Sequence, residues 1–237
     1  MTKSSRVVTP AVKFILSRIC RIDAADMKRV PKTGPIIVVM NHVNFLEVPL
    51  LYSFLFPRDA IGIIKRETWD NPIMGALADS WQAIAIDREG SDLAAMRKAL
   101  EVLDRKGLLL IAPEGTRSGD GRLRKGHGGV VQLALRSGAP ILPIAHHGGE
   151  RFWANLKSVR RTRFVFRVGE PFVLAPPSAN GDGAADGVVR SVPRSVRAEM
   201  VDAIMNRISI LLPEWQRGEY PDPENASTSC LRFVSLG

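Results

Sequence analysis

Three short polar clusters in this chain each follow an apolar run, and they carry side chains suited to proton transfer and anion binding. They are Asn41 with His42, Asp87 with Arg88, and Glu114, Gly115, Thr116 and Arg117. Glu47 stands five residues after His42. On a continuous helix that spacing turns two side chains about 140° apart, so they meet only if His42 lies in a loop and Glu47 on the first turn of the next helix. A carboxylate on one imidazole nitrogen then fixes the tautomer and makes the other nitrogen a better general base toward a hydroxyl. A His near a Glu is more often a structural pair, so the spacing by itself leaves both readings open. In the run from Pro113 to Ser118 a glycine lets backbone amides approach an anion, and Arg117 offers a planar fork for phosphate or carboxylate. The plain alternative is a turn whose Arg117 is paired with Glu114. Residues 121–126 lack the GxxxxGK[ST] order, so this is not a P-loop.

Such clusters need a scaffold, and the pattern around them alternates strand-like and helix-like segments. Pro35–Met40 is a short β-branched run of the kind buried on both faces of a sheet. Phe45–Phe56 reads as a helix, Ala60–Ile64 as a strand, Pro72–Asp79 as a short helix and Gln82–Ile86 as a strand. A clear helix follows, with Ser91 as N-cap, Leu93, Met96, Leu100 and Leu103 at helical spacing and Gly107 past its end. Leu108–Ala112 is again a buried strand. After the Gly- and Arg-rich stretch 113–129 come a helix at Val130–Arg136 and strands at Ile141–Ala145 and Arg163–Val168. Ala175–Gly187 reads as a mobile excursion, and Pro193–Leu212 as a helix with Val196, Met200, Ala203, Ile204 and Ile208 on one side. Alternation of this kind predicts one α/β domain, a mostly parallel central sheet flanked by helices. If the strands run parallel, all three polar clusters share the carboxyl edge of the sheet, where open α/β folds bind ligands.

Composition narrows the function classes. With 237 residues, 45% apolar and 24% charged, a sizeable core is available and wholesale disorder is excluded. Cys20 and Cys230 stand at opposite ends, giving no disulfide framework and no CxxC pattern, as expected in a reducing compartment. The net charge is +9, and residues 1–32 hold eight basic side chains against Asp23 and Asp26, two thirds of the excess. From Pro10 a helical wheel puts Val12, Ile15, Leu16, Ile19, Cys20 and Ile22 on one arc opposite Lys13, Ser17, Arg18 and Arg21, with Phe14 out of place on the polar side. That amphipathic N-terminal helix can pack on its own domain or lie in a membrane interface. No apolar run reaches the roughly 18 to 20 residues of a membrane span, and no signal peptide is expected. We therefore divide the chain into a basic amphipathic helix and lead-in (1–30), a catalytic domain (31–217) and a flexible tail (218–237).

In order and approximate spacing, Asn41-His42-x4-Glu47, Ile84-x-Ile86-Asp87-Arg88, Pro113-Glu114-Gly115-Thr116-Arg117-Ser118 and Pro140-Ile141-Leu142-Pro143-Ile144 resemble the four blocks of the phospholipid/glycerol acyltransferase family, which includes the lysophosphatidate acyltransferases. The likeness runs from about residue 22 to 170. It implies transfer of an acyl chain from acyl-CoA or acyl-carrier protein, as co-substrate, to a hydroxyl of a 1-acylglycerol-3-phosphate-like lysophospholipid in phospholipid biosynthesis. It implies a location at the cytoplasmic face of a membrane, peripheral or monotopic, on anionic lipids. His42 would take the hydroxyl proton with Glu47 holding the ring. Arg88, Glu114, Gly115, Thr116 and Arg117 would bind the acceptor's phosphate, Glu114 by orienting an arginine, with Asn41 and Lys65 as further substrate contacts. Relatives of the lysophosphatidate type commonly carry Asp where Glu47 stands and a bulky apolar residue where Ala112 stands. Lipid A and aminolipid acyltransferases use Glu, so another lipid acceptor, or a non-catalytic phospholipid-binding module of the same fold, is the alternative.

The other candidates have plainer readings. His127, His146 and His147 lack the spacing of a metal site, and no metal or resident cofactor is expected. Lys157, Arg160, Arg161, Arg163 and Arg167 form a solvated basic face or meet anionic head groups. Trp69, Trp81, Trp153 and Trp215 are core or rim residues. Nucleic-acid binding would leave the His-to-Arg constellation unused, and a serine hydrolase would need a GxSxG or SxxK motif that the chain lacks.

Overall fold

Strand β2 (Ile36–Met40) shows why this sequence builds three layers: all five of its residues are buried. Alternate side chains of a strand face opposite ways. Ile37 and Val39 pack on one side with helices α4 (Leu93–Asp104), α5 (Gly129–Ser137) and α7 (Arg194–Ser209). Ile36, Val38 and Met40 pack on the other with α1 (Lys3–Ile19) and α2 (Glu47–Leu55). The structure is a computed structural model describing residues 2–87, 92–175 and 192–236. Arg88, Ser91 and nearly all of the expected excursion 175–187 lie outside the described residues.

Beside β2 run β5 (Leu108–Ile111) and β6 (Ile141–His147), and β3 (Ala60–Lys65) and β4 (Ile84–Ile86) extend the β5 side. These five strands are mutually parallel. On the far side β7 (Thr162–Val168) is antiparallel to β6 and parallel to β1 (Cys20–Asp23). The short β8 (Phe172–Leu174) pairs antiparallel with β6 and with β9 (Leu231–Phe233). The expected α/β architecture is present, with short helices α3 (Pro72–Ser80) and α6 (Phe152–Lys157) completing the helical layers.

Both ends of the chain differ from expectation. Helix α1 begins at Lys3, with the Thr2 side chain accepting from the Ser5 N–H, and stops at Ile19 because Cys20–Asp23 turns extended to pair with β7. Its buried face runs through Ser5, Thr9 and Leu16, with Val12 and Ile19 partly covered, whereas Phe14 is 60% and Ile15 58% exposed. The hydroxyls stay buried because they are bonded: Ser5 to the Thr2 carbonyl, Thr9 to the Trp81 indole N–H at 3.0 Å. The expected flexible tail from Gly218 is instead tied down. Tyr220 and Cys230 are buried and β9 adds to the sheet. Among the described residues no helix is long and apolar enough to cross a membrane.

Candidate active site

Helix α2 begins at Glu47, and the loop joining it to β2 carries His42. His42 Nδ1 lies 2.5 Å from Glu47 Oε1. A carboxylate only accepts, so Nδ1 carries the proton and Nε2 is the basic nitrogen. Nε2 has no partner among the described residues, and the His42 side chain is 17% exposed over a Glu47 that is fully buried. Glu47 also accepts from the backbone N–H groups of Val43 (3.1 Å) and Asn44 (3.0 Å). Burial pushes its pKa up. The His42 hydrogen bond, aided by the neighbouring His146 and His42 rings, outweighs that and holds the carboxyl below its ordinary range. One carboxylate thus reaches both the ring and the amides of the loop that presents it.

The loop after β5 closes onto this one. The N–H of Ser118 donates to the His42 carbonyl at 2.8 Å and that of Gly119 to the Val43 carbonyl at 3.1 Å. Glu114, 2% exposed, accepts from the His42 N–H at 2.6 Å and the Arg124 N–H at 2.8 Å. It was expected to orient an arginine side chain; instead it fastens two backbone segments, because at this depth only amides of the crossing loops reach it. Burial pushes its pKa up to about 7 against the pull of those two hydrogen bonds. Gly115 has φ +64°, and a Cβ there would stand 3.1 Å from the His127 ring, so the turn favours glycine on two counts. Thr116 and Arg117 are exposed. Arg117 makes no ion pair or hydrogen bond among the described residues, which sets aside its pairing with Glu114 and leaves its guanidinium available one residue from the segment bonded to His42. Behind the loop, the Leu123 N–H donates to the Gln216 carbonyl (2.8 Å) and the Leu123 carbonyl accepts from the Glu219 N–H (3.0 Å).

Asn41, expected among the substrate contacts, is buried and engaged. Its amide donates to the His146 carbonyl and its Oδ1 accepts from the His146 N–H, both at 2.9 Å. His146 Nε2 in turn lies 2.9 Å from the Asn41 carbonyl, so that nitrogen is the protonated one. This clamp joins the carboxyl ends of β2 and β6 directly behind His42. Burial lowers the His146 pKa, opposed by the Glu47 charge. Lys65 closes β3. Register pairs Gly62 with Leu110 and Leu110 with Val38, so Lys65 is level with Asn41, two strands or roughly 10 Å along the edge. Arg88 lies outside the described residues. The loops therefore bring together His42, Glu47, Glu114, Gly115, Thr116 and Arg117, with Lys65 to one side.

Three contributors were not anticipated. Asn44 donates from its side-chain amide to the Gly149 carbonyl (2.7 Å) and accepts from the Leu46 N–H (2.8 Å), shaping the turn between His42 and Glu47. Its turn preference was the available signal. Arg124 acts through its backbone N–H, and its guanidinium reaches the Ser118 carbonyl at 3.1 Å. His146, which lacks metal-site spacing, instead bonds Asn41 through both its backbone N–H and its ring. A cavity of about 440 Å³, lined by Arg29, Leu142, Glu170 and Phe233 among others, opens near the start of β6, at the opposite edge of the sheet from His42.

The profile of the acyltransferase family matches residues 21–147, from β1 to the end of β6. A 1-acyl-sn-glycerol-3-phosphate acyltransferase from Limnanthes alba is 38% identical over 120 residues, 49% of this chain and 42% of that protein. The enzyme of the same name from Pseudomonas aeruginosa is 28% identical over 210 residues, 87% of this chain and 76% of the other. The chain thus spans less than half of the plant relative and about three quarters of the bacterial one. A solved 1-acyl-sn-glycerophosphate acyltransferase from Thermotoga maritima shares the fold, with a TM-score of 0.56 at 21% identity over 83% of this chain and 77% of that one.

Proposed function

The chain belongs to the acyltransferase family, and on that premise we propose that it moves a fatty acyl chain from a thioester donor, acyl-CoA or acyl-carrier protein, to a free hydroxyl of a 1-acylglycerol-3-phosphate-like lysophospholipid at a membrane surface. The observation that carries this reading is the 2.5 Å contact of His42 Nδ1 with buried Glu47, which leaves Nε2 as the base. Nε2 takes the acceptor's hydroxyl proton as the oxygen attacks the thioester carbonyl. The tetrahedral intermediate collapses, the C–S bond breaks, and the imidazolium returns its proton to the leaving thiolate. Glu47 stabilises the transient imidazolium and stays ionised throughout. No acyl-enzyme forms, and the free thiol and the ester are the products. Arg117 suits the acceptor's phosphate, as a guanidinium fork binds two of its oxygens at once. The names of the plant and Pseudomonas relatives support this acceptor.

Thiol release tests the assignment. With acyl-CoA and lysophosphatidate supplied together the thiol should appear, and either substrate alone should give background. His42→Ala should lower the rate about 10³-fold. Equal rates in the variant, or thiol release independent of the acceptor, would refute the mechanism.

A further inference from the structure

Helix α6 joins β6 to β7 at the carboxyl edge of the sheet, beside the His42 loop. Phe45, between His42 and Glu47, packs on Phe152 (ring centroids 6.2 Å apart) and Trp153 (5.6 Å). Phe152 faces the core, but the rest of the helix points large apolar groups outward: Trp153 is 57% exposed, Leu156 44% and Val159, in the turn that ends it, 95%. The Val159 N–H bonds the Leu156 carbonyl and the Arg160 N–H the Asn155 carbonyl. That is the Schellman ending, and its left-handed position normally falls to glycine. Here it is filled by a β-branched residue at φ +53°. Stability alone would favour glycine at this point, and Val159 packs on nothing that offsets the strain.

We propose that Trp153, Leu156 and Val159 form a docking ridge that inserts into the surface of an anionic lipid bilayer and holds the mouth of the His42 site against it. The proposal rests on the reading of a lipid acceptor given above. The occupant follows from charge. Beyond the Glu150–Arg151 pair, residues 152–163 contain Lys157, Arg160, Arg161 and Arg163 and no acidic residue. An apolar ridge ringed by cations matches an interface of acyl chains beneath negative head groups. The ridge is also continuous with α1: the Arg161 guanidinium donates to the carbonyls of Ser17 (2.6 Å) and Cys20 (2.5 Å), one turn beyond exposed Phe14 and Ile15. Two amphipathic elements from distant parts of the sequence are thus fastened together.

The test is sedimentation of the full chain with vesicles of phosphatidylcholine alone or mixed with phosphatidylglycerol. Acyl transfer is followed in parallel with a short-chain acyl-CoA and lysophosphatidate below its micelle concentration. Wild type should favour the anionic vesicles. Val159→Gly should lower partitioning about fivefold while raising the melting temperature, a pairing that a purely structural role would not give. Leu156→Ala combined with Val159→Gly should lower it about 20-fold or more. Lys157→Gln and Arg160→Gln should each cut only the anionic preference, by about fivefold. Transfer between the soluble substrates should be unchanged in all four. Unaltered vesicle binding in the double variant overturns the ridge, as does a wild-type dimer that this variant dissociates without any vesicle binding. Ridge-dependent binding with no acyl transfer in wild type would sink the acyltransferase reading and leave the ridge standing.

Discussion

Two buried glutamates serve the two loops that meet at the carboxyl edge, and they behave oppositely. Glu47 and Glu114 each accept hydrogen bonds from backbone amides of those loops, and each is almost wholly removed from solvent. Yet Glu47 is held below the ordinary carboxylate range and Glu114 is pushed up to about 7. The difference is the imidazole. Glu47 has a proton donor that can become a cation, so its charge has a partner able to match it. Among the described residues Glu114 has only neutral amides within hydrogen-bonding reach. Burial therefore does not decide whether a carboxylate keeps its charge; the partner on its second side does.

The comparison can be broken at three points. Glu47→Gln keeps the size but removes the charge that steadies the imidazolium and sets the tautomer, so kcat should fall about 10²-fold or more. A rate within a few-fold of wild type would make Glu47 architectural like its counterpart. Arg117→Ala should raise KM for a phosphorylated acceptor about tenfold or more, as expected for losing a charge-assisted contact, while the KM of the acyl donor holds. A rise confined to the donor would move the phosphate site elsewhere. Glu114→Gln should cost about 1–3 kcal/mol, because the amide turns a donor toward the His42 or Arg124 N–H.

The same variant has a pH signature. A carboxyl whose folded value is raised gives stability that is complete below its ordinary value of 4.5 and is lost as pH climbs through about 7. Melting temperatures of wild type should therefore decline between pH 5 and 8 by more than those of Glu114→Gln. Parallel profiles would mean that Glu114 stays ionised across the range.

Much of this was readable from the chain, for identifiable reasons. Strands β2 and β5 are unbroken apolar runs, so their burial on both faces and the clusters at their ends could be placed in advance. The His42–Glu47 pair was legible because a loop-to-helix boundary had to fall between them. Helix α1 was harder. Its inward face uses Ser5 and Thr9, whose hydroxyls are satisfied by partners that hydropathy cannot see, and Cys20–Asp23 continues the wheel, with Cys20 and Ile22 on the apolar arc and Arg21 opposite, until β7 is present to pair with it. The N-cap of α4 is Asp92, one residue past the expected Ser91, with its carboxylate on the Ala95 N–H. The clamp between Asn41 and His146 spans 105 residues, and no local pattern announces it. Nor could three residues of β9 stand out from a polar tail.

The backbone of Leu123, gripped by Gln216 and Glu219, has a practical meaning for anyone trimming or tagging this chain. The segment presenting Arg117 leans on amino acids nearly a hundred positions downstream, and Gly218 sits so close that a Cβ there would fall 2.0 Å from the Leu123 carbonyl. A version cut short before residue 216 loses β9, the buried Tyr220 and Cys230 and this grip together, while the parallel strands β2 to β6 keep their neighbours. It should recognise the acceptor poorly, with the donor half of the reaction little affected.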